Sequence, residues 1–108
     1  MKNSRHARLV KSLKDEGTGT MKCYGNSMLP ILSNPSTCHY VRQESYRVGD
    51  IVFCKVKGRY IDAHLITKVG ADERYMISNN RGRDNGWTRT IYGRVVRAVD
   101  RNGVEKSL

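Results

Sequence analysis

Ile51-Val52-Phe53-Cys54-Lys55-Val56-Lys57-Gly58-Arg59-Tyr60-Ile61-Asp62-Ala63-His64-Leu65-Ile66-Thr67-Lys68-Val69 is the stretch on which the fold class turns. Ile51 to Lys57 is a run of β-branched and aromatic residues. In Tyr60 to Val69, Ile61, Ala63, Leu65 and Thr67 alternate with Tyr60, Asp62, His64 and Ile66. Lys57-Gly58-Arg59 between them is a tight turn, so the pair is predicted to form an antiparallel hairpin. One face of the second strand then packs, and the other carries the histidine.

Upstream of the hairpin, Met21 to Tyr24 and His39 to Arg42 are short β-compatible runs, and Gly49-Asp50 marks the turn into Ile51. Downstream, Gly70-Ala71-Asp72 turns the chain into Arg74 to Ile77, and a last long strand runs from Thr90 to Val99. Val95-Val96 breaks alternation there and predicts a bulge. The segment Ser78-Asn79-Asn80-Arg81-Gly82-Arg83-Asp84-Asn85-Gly86 is read as a polar loop, the kind of place where sites sit. Near the N-terminus, Leu9, Val10 and Leu13 have helical spacing, with Arg5, Arg8, Lys11 and Lys14 on the other sides. An amphipathic helix over about residues 4–15 follows, stopped by Gly17 and Gly19. We therefore expect a mainly β domain, a small, partly closed antiparallel structure with one short N-terminal helix. Residues 1–20 form the basic helix and linker, and residues 21–108 the β domain.

A chain of 108 residues supports one hydrophobic core. Twenty Lys and Arg against ten Asp and Glu give a net charge of +10 and a pI of about 9.9. That balance favours phosphate backbones, anionic surfaces or acidic protein partners. The basic residues are scattered, so any basic footprint is assembled by folding. Cys23, Cys38 and Cys54 are odd in number and lack CxxC spacing, which fits free thiols in a reducing compartment. No apolar stretch has the length of a signal peptide or membrane span, so a soluble, cytoplasmic protein is expected. Cys23, Cys38, His39 and Cys54 match no compact zinc-ligand spacing, and nothing in the sequence predicts a depressed thiol pKa at Cys23. No metal or cofactor is called for. Trp87 and Tyr92 near Arg83, Arg89 and Arg94 could stack single-stranded nucleic acid, although such residues more often belong to a solvated strand edge.

The chemistry is concentrated at Gly25-Asn26-Ser27-Met28-Leu29-Pro30. Glycine and proline around Ser27 allow its hydroxyl to be presented at an exposed bend and leave amides free to bind an oxyanion. The second glycine of a GxSxG elbow is missing, which disfavours an α/β-hydrolase. In order along the chain there follow Val48-Gly49-Asp50-Ile51-Val52-Phe53, then Ala63-His64-Leu65-Ile66, then Ile91-Tyr92-Gly93-Arg94-Val95-Val96.

Over residues 21–99 this order resembles the signal peptidase I and LexA-type serine peptidase superfamily. In most bacterial members the general base is a lysine; in the endoplasmic-reticulum and archaeal type it is a histidine. His64 stands at the matching position, so the resemblance implies a soluble Ser-His variant that hydrolyses a peptide bond in a protein substrate. A serine hydroxyl needs a base to take its proton, and unperturbed histidine titrates near ~6.5. Ser27 would be the nucleophile and His64 the general base, with backbone amides at Asn26 and Ser27 as oxyanion donors and Met28 beside the substrate.

Histidine-type relatives carry aspartates in the loop after the histidine strand. Here Ser78-Asn79-Asn80 and Asp84 stand there, which makes Asp84 the candidate orienting carboxylate. Asp62 shares a strand with His64 and ranks below it. Relatives usually have Gly-Asp soon after the serine motif, where this chain has Asn34-Pro35-Ser36. Only 26 residues precede Ser27, too few for a helix-turn-helix domain, so a free-standing core without an anchor is expected. Its partner would be an extended peptide bound beside a strand edge, and the LexA side of the resemblance adds a homodimer. The alternative is a catalytically inactive domain of the same fold, binding nucleic acid or an acidic partner protein through its charge.

Overall fold

In the computed structural model, which describes residues 4–108, helix α1 runs from Arg5 to Glu16. The Ser4 hydroxyl accepts the Ala7 amide at its start, satisfying one of the orphan donors of the first turn. Gly17 ends it at φ 78°, a left-handed value that glycine adopts at little cost, and donates to the Leu13 carbonyl. Leu9 and Leu13 are buried. Residues 1–3 of the expected N-terminal segment lie outside the described residues.

Eight strands follow: β1 (Thr18–Cys23), β2 (Ser36–Val41), β3 (Ile51–Val56), β4 (Arg59–Val69), β5 (Tyr75–Ser78), β6 (Asp84–Thr88), β7 (Ile91–Asp100) and β8 (Glu105–Ser107). They form one antiparallel sheet in the order β1-β2-β7-β3-β4-β5-β6, with β8 also on β7. The β3–β4 hairpin is present as the quoted stretch predicts. The bulge at Val95-Val96 is also present: His39 faces Arg97 and Tyr40 faces Val95, which leaves Val96 as the extra residue. The sheet curls at its far end. Lys55 donates its amide to Thr90 O, and Thr88 Oγ1 donates to Lys55 O at 2.6 Å, drawing the β6–β7 turn against β3. The result is a mainly β, half-closed barrel with one short helix.

Two apolar clusters hold this shape. In the first, Leu9 and Leu13 of α1 meet Met21, Met28, Leu32, Tyr40, Phe53 and Val95. Val52, Cys54, Val56, Ile66, Tyr75 and Ile77 fill the second, inside the curl. Because α1 shares the first cluster with the sheet, it is part of the core. Gly19, expected to help stop the helix, belongs to β1. A Cβ there would lie 2.5 Å from Leu9 Cδ1, so the close approach of helix and strand depends on glycine.

Three readings need correction. β1 starts at Thr18, inside the expected linker. The polar segment 78–86 is not all loop, because Asp84, Asn85 and Gly86 open strand β6 on β5; few β-formers stand there to signal it. The alternation of β4 is interrupted as well. Val52 faces His64, but Cys54 faces Ile61, so β4 carries one residue more than β3 over this interval.

Candidate active site

That extra residue positions the histidine. Asp62, Ala63 and His64 are consecutive, yet all three line one cleft of about 40 Å³. A regular strand would divide them between its two faces; the irregularity in β4 re-aims them, a common use of bulges beside functional sites. The opposite wall comes from the turn after β1, with Cys23, Tyr24, Gly25, Ser27, Met28 and Leu32.

Several contacts hold this turn. Gly25, at φ 112°, adopts a conformation that side-chain-bearing residues avoid. Its amide donates to Asn34 Oδ1, while Asn34 Nδ2 donates to Asn26 Oδ1. Asn80 fastens the turn from the other side: its amide donates to Ser27 O at 3.0 Å, and its Nδ2 to Leu29 O at 2.9 Å. Met28 is buried in the first cluster, so its side chain anchors the turn from below while bordering the cleft. Among the described residues, the amides of Asn26, Ser27 and Met28 have no protein acceptor.

Ser27 Oγ and His64 Nε2 are 3.0 Å apart. His64 Nδ1 lies 2.7 Å from Asn85 Oδ1 on β6. An amide oxygen only accepts, so Nδ1 carries the hydrogen; in the neutral ring Nε2 is then the acceptor, and the serine hydroxyl donates to it. The sequence reading proposed Asp84 for this place. Asp84 instead accepts from the buried Ser78 hydroxyl at 2.7 Å, and that hydroxyl is 2.8 Å from Thr67 Oγ1. Ser78 faces Asp84 and Ile77 faces Gly86, so Asn85 is the extra residue of β6 at this point, and while Asp84 turns to Ser78 it is Asn85 that reaches the histidine. Among the described residues, the side chains bonded to the His64 ring are Ser27 and Asn85, and neither is a carboxylate.

Asp62 is engaged elsewhere. Arg5 donates to its Oδ2 at 2.8 Å, and His6 Nε2 lies 2.6 Å from its Oδ1. The His6 ring stacks on Tyr60, with centroids 4.9 Å apart. The first turn of α1 thus holds the carboxylate of Asp62, which lines the cleft.

Cys23, at the cleft wall, lies 3.0 Å from the Tyr40 hydroxyl. Hydrogen bonding from Cys38 lowers its thiol pKa from the ordinary 9.0 despite burial, a feature the sequence does not reveal. Cys38 is pushed up by that neighbour and by burial. Among the described residues, no group of three or more His, Cys, Asp or Glu side chains is placed to hold a metal ion, and no helix is long and apolar enough to cross a membrane.

Sequence reasoning missed Asn85, Asn80, Asn34 and the Arg5/His6 contacts. Asn80 and Asn85 lie within the segment singled out as site-bearing, but a search for a carboxylate passes over an amide. Comparison with family models, with curated proteins and with solved structures finds no match to this chain.

Proposed function

We propose that the protein is a serine endopeptidase in which Ser27 attacks the peptide carbonyl and His64 manages the proton. The observation that carries this reading is the connected series Ser27 Oγ, His64 Nε2, His64 Nδ1 and Asn85 Oδ1, with steps of 3.0 Å and 2.7 Å across the ring. It supplies a nucleophile, a base in the right tautomer and a group that orients the base. The ordered motifs from Gly25 to Val96 support a place in the signal peptidase I/LexA-type superfamily.

His64 Nε2 takes the Ser27 proton as Oγ bonds to the carbonyl carbon, and the amides of Asn26 and Ser27 receive the developing oxyanion. The imidazolium then protonates the departing amine, leaving an acyl-serine. Water, deprotonated by the same nitrogen, releases the acid and restores Ser27. No step calls on a metal or cofactor. A peptide would lie extended beside a strand edge. A cytoplasmic setting suits the three free thiols, and a homodimer remains part of the proposal.

The test is mass-spectrometric mapping of cuts in a diverse peptide mixture, comparing the protein with Ser27→Ala over pH about 5 to 9. Cuts are expected that vanish in Ser27→Ala and fade on the acid side, where the imidazole is protonated and no longer a base. Equal behaviour of the two proteins overturns the reading. The second reading is a binding module for single-stranded nucleic acid, favoured by the net charge of +10 and by Arg74 stacked 5.1 Å from the Trp87 ring. Steep loss of oligonucleotide binding with salt would support it.

A further inference from the structure

Two thiols and a phenol lie together inside the first cluster, beside the cleft. Met21 and Cys23 of β1, and Ser36, Cys38 and Tyr40 of β2, alternate inward along their strands and are buried. The register sets Met21 against Cys38 and Cys23 against Ser36, so the two cysteines are diagonal neighbours on one face. Their thiols are hydrogen-bonded to each other. The Tyr40 hydroxyl donates to Asp62 O at 2.8 Å and is 3.0 Å from Cys23 Sγ, so it accepts the Cys23 hydrogen.

The three cysteines differ in what they can meet. Cys23 lines the cleft, Cys38 is fully buried next to it, and Cys54 is fully buried in the second cluster. The bond from Cys38 holds the Cys23 thiol below its ordinary 9.0, which favours the thiolate, the form that reacts. Burial pushes Cys54 up to about 12 and keeps it protonated. Cys23 and Cys38 also bracket residues 24–37, the segment that holds Ser27, with the left-handed Gly25 between Cys23 and the serine.

We propose that Cys23 and Cys38 are a peroxide-sensitive dithiol that closes to a disulfide and displaces the Ser27 turn relative to His64. The Cys23 thiolate attacks one oxygen of hydrogen peroxide; the O–O bond breaks, hydroxide leaves and takes up a proton as water, and Cys23 becomes a sulfenic acid. The Cys38 sulfur then attacks the Cys23 sulfur. The S–O bond breaks as the S–S bond forms, and the departing hydroxide leaves with the Cys38 proton as a second water. Two electrons pass from the thiols to the peroxide. Tyr40 keeps its bond to Asp62 O, so the buried hydroxyl stays paired. Diagonal neighbours stand about 7–8 Å apart and a disulfide holds its Cα atoms at about 4.4–6.8 Å, so closure draws Cys23 in by about 1 Å. Ser27 follows it closely in the chain and sits 3.0 Å from His64 Nε2, a geometry that tolerates little displacement. The dithiol stands apart from the peptidase reading; only the loss of cutting rests on it.

The protein is treated with dilute hydrogen peroxide, alkylated in denaturant and digested with chymotrypsin. The fragments carrying Cys23 and Cys38 should stay joined until reduced, with a loss of about 2 Da, while Cys54 takes the alkylating label. In Cys38→Ala, whose melting transition reports on folding, Cys23 should instead stop at the sulfenic acid and be captured by dimedone. In isotope-labelled protein the NMR signal of the Asn80 amide, which donates to Ser27 O, should move on oxidation and return with dithiothreitol. Cutting of a peptide should fall about tenfold or more. Separate fragments, Cys54 consumed as readily as the pair, or an Asn80 signal that stays in place overturns the proposal. If the pair closes and the Asn80 signal moves but reduced protein cuts nothing, the switch stands and the peptidase reading falls. If reduced and oxidised protein cut at one rate, the switch falls and the peptidase reading stands.

Discussion

At His64, Asn85 supplies an oxygen without a charge. A carboxylate in that place would both aim the ring and stabilise the imidazolium that the proposed reaction forms; the amide would do only the first. The difference gives opposite expectations for two substitutions. Asn85→Ala leaves Nδ1 without its acceptor, frees the ring to rotate, and should lower kcat by about 10- to 100-fold, a part of the ~10²–10⁴ that a positioned base contributes. Asn85→Asp keeps the acceptor and adds the charge, so kcat should rise and the acid limb of the pH profile should move to higher pH. Steady-state kinetics on a cleaved peptide, over the same pH range for both variants, checks the pair. A fall with Asn85→Asp equal to that with Asn85→Ala would remove the oxygen of Asn85 from the mechanism. Ser27 and His64 could be picked out together because the order of the motifs along the chain, from Gly25-Asn26-Ser27 to Ala63-His64-Leu65, does not depend on pairing between strands. Asn85 could not, because which of two adjacent polar residues faces the histidine depends on the register of β6 against β5.

Among the elements, the segment after β5 acts as a clasp on the turn that carries Ser27. Asn79 Oδ1 accepts the amides of Arg81 and Arg83, fixing the loop, and Asn80 then reaches Ser27 O and Leu29 O. Asn80→Ala removes the side-chain bond, worth about 1 kcal/mol, and keeps the backbone one. The fold should survive with a slightly lower melting temperature, while kcat falls because Ser27 is held less firmly; a near-attack geometry tolerates little displacement. Circular dichroism together with kcat tests this, and unchanged kcat would mean that the turn is held without the clasp. The β3–β4 hairpin could be read ahead of the structure because its pattern is local. The irregularity in β4 could not, since it arises from pairing with β3, and neither could β6, whose opening residues owe their extended state to β5 and to the pull of Thr88 on Lys55. Likewise the helix was visible from Leu9, Val10 and Leu13, but its grip on β1 and on Asp62 is a tertiary event.

Taken as a whole, the molecule buries groups that titrate in alkali. Burial pushes the Cys54 thiol up to about 12 from an ordinary 9.0. It also raises Tyr40, Tyr46 and Tyr92 above 10.0, while the hydrogen bond between Cys23 and Cys38 lowers the first thiol and raises the second. Between 9.0 and about 12 the unfolded chain has released the Cys54 proton and the folded chain still holds it. The folded state then binds more protons, so stability falls as pH rises through that window and is fully present below it. One such thiol contributes a slope of up to about 1.4 kcal/mol per pH unit. Melting temperatures should therefore be flat to about pH 8 and decline steadily to about pH 11. Cys54→Val, which fills the same place in the second cluster without a titrating group, should flatten part of the decline. A wild-type melting temperature that stays level to pH about 11 would contradict the buried state of these groups. A decline that Cys54→Val leaves untouched would shift the cause to Cys38 and the buried tyrosines, among them Tyr40 and Tyr46, the latter meeting Tyr75 edge-on at 6.1 Å.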